Sequence, residues 1–170
     1  CFMYDVVTFG EAMIRLSPPH FRRLEQASNL DLNVGGAELN VAVGVARLGM
    51  RSAWISKLPK NGLGCLIRDR GRGCGVDCSH IVWSEKGRVG IYFLEFGASP
   101  RASSVLYDRE NSAISMVESG EVDWGKVFKA ASHFHVTGIT PALSRSAAKV
   151  TLEALQAAKK AGCTVSYDLN

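Results

Sequence analysis

One pattern recurs along the chain and limits what it can fold into: a short apolar run, then a longer amphipathic run, then another short apolar run. "DVVTFG" (5–10) is apolar and ends in glycine, as a buried strand of a parallel sheet does. From Ala37 to Leu48 the residues Leu39, Val41, Ala42, Val45, Ala46 and Leu48 form a wide helical stripe, with Gly49 at the C-terminal cap position. "SAWISKL" (52–58) reads as the next strand, "LGCLIRDRGRGCG" (63–75) as a helix and "HIVW" (80–83) as a strand. After residue 110 the alternation resumes: short helices within 112–130, a strand at "HFHVTG" (133–138), a long amphipathic helix over Ser144–Ala161 and a strand at "TVSYD" (164–168). Parallel strands cannot be joined by hairpins, so this order predicts an α/β fold with helices on both faces of a mostly parallel sheet.

The segment between has another texture. "RVGIYFLEFG" and "SSVLYD" alternate apolar and polar residues around the turn-rich "ASPRA". They predict an antiparallel pair over 88–110, and segments 11–17 and 30–34 are expected to join it as a small β-flap. Its apolar residues Ile91, Phe93, Phe96 and Val105 need cover, which predicts self-association through the flap into a homodimer.

Composition removes several classes of function. The formal net charge of +4 is mild, and the basic residues lie among acids without aromatic interleaving, so no nucleic-acid footprint is expected. No apolar run nears the roughly 18 residues that would span a bilayer. Five cysteines (Cys1, Cys65, Cys74, Cys78, Cys163) at irregular spacing argue against a disulfide framework and suit a reducing cytoplasm. Cys74, Cys78 and His80 form a C-x3-C-x-H string with no second ligand pair at zinc spacing, so no metal site is expected and buried packing is the better reading. His133 and His135 alternate along one strand and read as sheet-face packing. Arg68, Arg70 and Arg72 read as a solvated helix face.

"GGAELNVAVGVARLG" (35–49) carries the chemistry. Gly35-Gly36 allow close approach of a ligand to the backbone, the helix start offers unpaired N–H groups, and Asn40 can both donate to and accept from hydroxyls. On the residues alone the stretch is equally a ligand-contacting turn or a tight turn before a polar first helical turn. No G-x-x-x-x-G-K-[ST] string occurs, and "GRGCG" (71–75) does not follow a strand, so no nucleotide loop is read.

This stretch resembles the first signature of the ribokinase/PfkB family of carbohydrate kinases. The likeness runs on through "GEAMIRLSP" (10–18), "ISKLPKNGLG" (55–64), "GVDCSHI" (75–81) and "HVTGITPAL" (135–143), over nearly the whole chain. Within the family, "RVGIYFLEFGASPRASSVLYDRENSAI" (88–114) is most similar to 2-keto-3-deoxygluconate kinases. The resemblance implies a ribokinase-like three-layer α/β/α sandwich with a β-flap lid, of which residues 1–170 make up the N-terminal part. It implies that Gly35, Gly36, Ala37, Glu38 and Asn40 line a sugar pocket, covered by Tyr92, Tyr107 and Arg109. Tyr107 and Arg109, two apart on a strand, face one side, and a guanidinium suits a carboxylate.

The family's activity implies ATP and Mg²⁺, and a catalytic Asp in a Gly-Ala-Gly-Asp motif that this sequence does not contain. Asn170 is the one residue expected near ATP phosphates, at the end of a "D-x-N" element. The expectation is therefore a sugar-acid kinase portion, inactive alone. A non-catalytic, degraded paralogue serving as a sugar-binding or interaction module is the alternative, and fructose or another hexose or pentose the alternative substrate. Several residues depart from the family pattern. Arg15 stands where neutral-sugar relatives carry an acid, which favours an acidic ligand unless the side chain points to solvent. Glu38 replaces a common proline, Pro59-Lys60 replace Gly-Asp, and Gly71 and Gly73 replace better helix formers.

Overall fold

The computed structural model describes residues 4–170; Cys1 and the residues just after it lie outside the described residues. Four strands, β1 (Tyr4–Phe9), β4 (Ser52–Ile55), β9 (Ala131–Thr137) and β10 (Thr164–Asp168), form an all-parallel sheet in the order β10-β9-β1-β4. A second sheet, in the order β3-β2-β7-β8, is the flap: β2 (Met13–Ser17), β3 (Asp31–Gly35), β7 (Ile91–Glu95) and β8 (Ser104–Asp108). The outer pairs of the flap are antiparallel, whereas β2 and β7 run parallel. The expected flap segments thus all join one sheet.

The strand expected over 52–58 divides at Ser56. β4 stays in the main sheet, while β5 (Lys57–Pro59) pairs with β6 (Val82–Ser84) as a two-stranded parallel ribbon. The chain changes partner there, because the Ile55 carbonyl accepts from Gly10 N–H but the Ser56 carbonyl accepts from Val82 N–H. Apolar patterning is blind to such a switch, since both halves are buried.

Helices cover the sheet on both sides. On one face lie α1 (Ala37–Arg47) and α2 (Gly62–Gly73); Leu39, Trp54, Leu58, Ile67 and Val76 belong to the core there. The other face carries α3 (Trp124–Phe128) and α5 (Arg145–Lys160) over Phe9, Phe134 and Val136, with the four-residue α4 (Ile139–Ala142) leading into α5. The helix starts follow capping chemistry: the side chains of Asn61, Asp123 and Ser144 accept from the backbone N–H groups of Gly64, Lys126 and Ala147 respectively. Along α5, Ala147, Val150, Ala154 and Ala158 form the buried stripe that the 3.6-residue period demands. Four aromatics centre this core. Phe134 meets Phe128 edge-on at 5.0 Å between centroids, and Phe9 meets Trp124 edge-on at 5.2 Å.

Two readings from sequence gain a physical account. His133 and His135 are sheet-face residues: His133 hydrogen-bonds Thr164 Oγ1 (2.7 Å) and Ser166 Oγ (2.9 Å), and His135 bonds the same Ser166 hydroxyl (2.8 Å). Burial and the neighbouring His135 hold the His133 imidazole below its ordinary pKa. Gly71, which replaces a better helix former, lies where α2 packs tightly on the core. A Cβ there would stand 3.0 Å from Cys78 Sγ and 3.4 Å from Leu39 Cδ1. Nothing in the structure explains Gly73. Cys78 is buried, which pushes its thiol up to about 11, and His80 turns to Tyr4, 3.2 Å from the phenol oxygen.

One buried carboxylate ties the two faces together. Glu38 Oε1 accepts from Thr137 N–H (3.2 Å), Thr137 Oγ1 (2.7 Å) and Thr140 Oγ1 (2.8 Å). Thr140→Val leaves this carboxylate short of one donor and is expected to cost about 1–3 kcal/mol of unfolding free energy. Phe134→Ala empties the centre of the aromatic cluster and is expected to cost about 3–5 kcal/mol. Urea denaturation followed by far-UV circular dichroism checks both; a loss below 0.5 kcal/mol, on the order of surface substitutions, would refute either assignment.

Candidate functional site

All four strands of the main sheet are parallel, so their carboxyl ends share one edge, where open α/β sheets bind ligands. That edge presents Gly10-Glu11 after β1, Gly138 after β9 and Leu169-Asn170 after β10. α1 begins against it. Its first turn, from the cap at Gly36 through Asn40, is held by Asn40 N–H donating to the Gly36 carbonyl (2.8 Å) and by the Glu38 carboxylate already described.

Gly36 is required by close approach to backbone, while Gly35 leaves room for a side chain. A Cβ on Gly36 would lie 2.5 Å from the Glu11 carbonyl oxygen and 2.9 Å from Ala12 Cα. A Cβ on Gly35 would lie 2.5 Å from the Tyr92 hydroxyl. The pair therefore presses the helix start against the end of β1 and lets a flap tyrosine lean in.

The flap's pairing places the other predicted residues in rows. Asn33, Arg15, Tyr92 and Tyr107 are successive cross-strand partners, one from each of the four strands, and so share one face. The Tyr92 and Tyr107 rings pack at 5.9 Å between centroids, and the Arg109 guanidinium carbon lies 5.7 Å from the Tyr107 ring centroid. Arg109 Nη2 in turn donates to Glu11 Oε2. These contacts close a ring: Gly35, Tyr92, Tyr107, Arg109, Glu11 and Gly36. Beside it, Arg109 borders an open groove of about 680 Å³ that Met116, Ile139, Leu143 and Ser144 also line.

Of the predicted residues, the ring brings together Gly35, Gly36, Tyr92, Tyr107 and Arg109. Ala37 and Asn40 lie in the adjoining helical turn, where Asn40 is exposed. Glu38 is only 1% exposed, with Oε1 committed to Thr137 and Thr140, so its first duty is to hold this helix start in place. Asn170 stands elsewhere on the rim, on exposed backbone with φ 61°, its N–H donating to Asp168 Oδ1 (3.0 Å).

Glu11 was not singled out from the sequence. A carboxylate directly after a buried strand's terminal glycine was the available signal, because that is where site residues gather. Glu11 is 3% exposed, and burial pushes its carboxyl above the ordinary carboxylate range against the opposing pull of Arg109. Its other oxygen, Oε1, is buried without a hydrogen-bond partner.

The arrangement can thus hold a polyhydroxylated ligand. Backbone is exposed at a helix start, an amide follows in its first turn, two phenols stand on one wall and a guanidinium is pre-set by a buried acid.

Known proteins share this fold. The family model described as pfkB family carbohydrate kinase matches residues 3–170. The chain is 44% identical over 166 residues to 2-dehydro-3-deoxygalactonokinase of Haloferax volcanii, covering 98% of this chain and 52% of that protein. It is 36% identical over 166 residues to 2-dehydro-3-deoxygluconokinase of Bacillus subtilis, covering 98% of this chain and 51% of that protein. The crystal structure of 2-dehydro-3-deoxygluconokinase from Thermotoga maritima superposes with a TM-score of 0.95 at 45% identity, over 98% of this chain and 51% of that one. The chain spans about half the length of the relatives it matches. With its family model, its ribokinase-like fold and these kinase relatives in agreement, the chain belongs to the pfkB family of carbohydrate kinases.

Proposed function

We propose that this chain is the sugar-binding side of an ATP-dependent sugar-acid kinase, acting on 2-keto-3-deoxygluconate (also called 2-dehydro-3-deoxygluconate) or its galactonate epimer. The observation that carries the reading is the contact ring from Gly35-Gly36 through Tyr92 and Tyr107 to Arg109. It combines hydroxyl recognition with a cation set for a planar acid. The names of the H. volcanii, B. subtilis and T. maritima relatives support a keto-deoxy sugar acid over fructose or a pentose.

In this reading Gly36–Asn40 back the sugar, Tyr92 and Tyr107 cover it from the flap, and Arg109 orients its carboxylate end. ATP would supply the phosphoryl group. The residues present do not by themselves fit ATP and Mg²⁺. Asn170 is a single exposed amide, and among the described residues no group of three His, Cys, Asp or Glu could hold a metal ion. With no Gly-Ala-Gly-Asp in the sequence, we assign no phosphoryl-transfer step and no base to this chain.

We place the protein in the cytoplasm, consistent with its free described cysteines, and as a homodimer through the flap. Support for the dimer comes from the flap's second face. There Leu32, Leu16, Phe93 and Leu106 form a cross-strand apolar row, and Leu32 and Leu106 are 45% and 60% exposed. Leu16 in that row, like Ile91 beside it, packs against the protein's own core.

Calorimetric titration tests the site. The 170-residue chain is expected to bind 2-keto-3-deoxygluconate more tightly than fructose or ribose, and Arg109→Ala to weaken that binding by about 10–100-fold. Equal affinity for all three sugars would sink the assignment. The chain alone, purified free of host kinases, is expected to phosphorylate none of them; ATP-dependent turnover that Arg109→Ala abolishes would overturn its restriction to the sugar side.

A further inference from the structure

Two buried carboxyls lie behind the candidate site, and the fold treats them differently. Glu38 Oε1 takes three donors, from Thr137 N–H, Thr137 Oγ1 and Thr140 Oγ1. Glu11, with a side chain only 2% exposed, has one among the described residues: Arg109 Nη2 donates to Oε2, and Oε1 is buried without a partner. Gly90 stands over that oxygen and brings no side chain to it. A Cβ there would lie 3.1 Å from Glu11 Oε1 and 3.2 Å from Arg109 Cβ. The other groups facing the Glu11 carboxyl are Glu38, whose charge repels it, and the Ser112 hydroxyl, also buried and without a partner. A hydroxyl suits either charge state, since it donates to a carboxylate and accepts from a carboxylic acid.

A ligand carboxylate on Arg109 changes this balance. Without it, the guanidinium and Glu11 are one cation and one anion. A docked sugar acid brings a second carboxylate to the same guanidinium, with Glu38 behind it, and excludes water from the site. Two carboxylates sharing one buried cation repel each other, and the one that is buried and short of donors gives up its charge. Burial already pushes the Glu11 carboxyl above the ordinary carboxylate range, against the pull of Arg109.

We infer that Glu11 is a positioning residue that works by proton uptake: when a ligand carboxylate docks on Arg109, Glu11 takes one proton from solvent onto Oε1, facing Ser112, and leaves the guanidinium's charge to the ligand. The inference rests on the sugar-acid reading above. The proton comes from the buffer, and no bond between heavy atoms forms or breaks. Docking raises the pH at which Glu11 loses its proton. Affinity for the acid is therefore highest where Glu11 is protonated before binding, and it falls by up to about tenfold per pH unit as Glu11 becomes charged in the free protein.

The test is calorimetric titration of the 170-residue chain with 2-keto-3-deoxygluconate, in buffers of different ionisation enthalpy and over a pH series above the ligand's own titration. The slope of observed enthalpy against buffer enthalpy counts protons. It is expected to reach about one within the series for the acid and to stay near zero for its uncharged methyl ester. Glu11→Gln keeps the shape of the protonated acid. It is expected to bind the sugar acid without proton exchange and about 3–10-fold more tightly than wild type near neutral pH, whereas loss of a purely structural ion pair would weaken binding. A slope of zero at every pH, equal slopes for acid and ester, a slope retained in Glu11→Gln, or weaker binding by that variant overturns the inference and leaves the sugar-acid site standing. Wild-type protein that binds no sugar acid overturns both. Should Glu11→Gln fail to fold by circular dichroism, the Glu11 carboxyl carbon of the wild type, followed by NMR, decides: it moves to the protonated position with the acid and not with the ester, and a carbon unmoved by the acid overturns the assignment.

Discussion

The site depends first on a single buried carboxylate oxygen. Glu38 sits in the first turn of α1, on the face of the main sheet that carries one core, and accepts from the end of β9 and from α4 beyond it. Three donors on one oxygen offset the desolvation of a nearly inaccessible charge. The geometric consequence exceeds the energetic one. With Glu38 anchored, the α1 start cannot drift from the sheet edge, and Gly36 is held against the Glu11 carbonyl. The polar first turn, ambiguous in sequence, is therefore a structural clamp and a candidate ligand surface in the same few residues.

The flap takes its place from the same edge. Its alternation sorts side chains into a polar row of Asn33, Arg15, Tyr92 and Tyr107 and an apolar row of Leu32, Leu16, Phe93 and Leu106. A register slip of one residue would exchange these faces, and two contacts resist it. Tyr92 fits where Gly35 has no side chain, and Arg109 pairs with Glu11 across 98 residues of sequence. The Arg109–Glu11 pair gains little net stability once desolvation is counted. It fixes orientation instead, fastening the end of β8 to the end of β1.

Much of this was legible in the sequence, for identifiable reasons. The Ser144–Ala161 helix and the 164–168 strand were readable because each has one period and a clear boundary. Flap membership of 11–17 and 30–34 was expected, but their order in the sheet was not legible, since β2 and β3 lie far along the chain from the hairpin they join. The division at Ser56 was not legible, because a buried strand that changes neighbours keeps the same apolar composition. Glu11 and the clamping duty of Glu38 were missed for a related reason. A carboxylate's role is set by which donors the fold brings to it, and those come from residues 109, 137 and 140.

Charge placement explains how one scaffold can be turned toward acidic sugars. Backbone at Gly35-Gly36, the Asn40 amide and two phenols are neutral and suit any sugar with well-placed hydroxyls. A bare arginine added to such a surface would raise affinity for anions but would also wander, since a long side chain loses much rotamer entropy on fixing. Pairing Arg109 with a buried acid prevents the wandering. In the sugar-acid reading proposed above, Arg109 thus meets a ligand carboxylate from a position that Glu11 sets in advance.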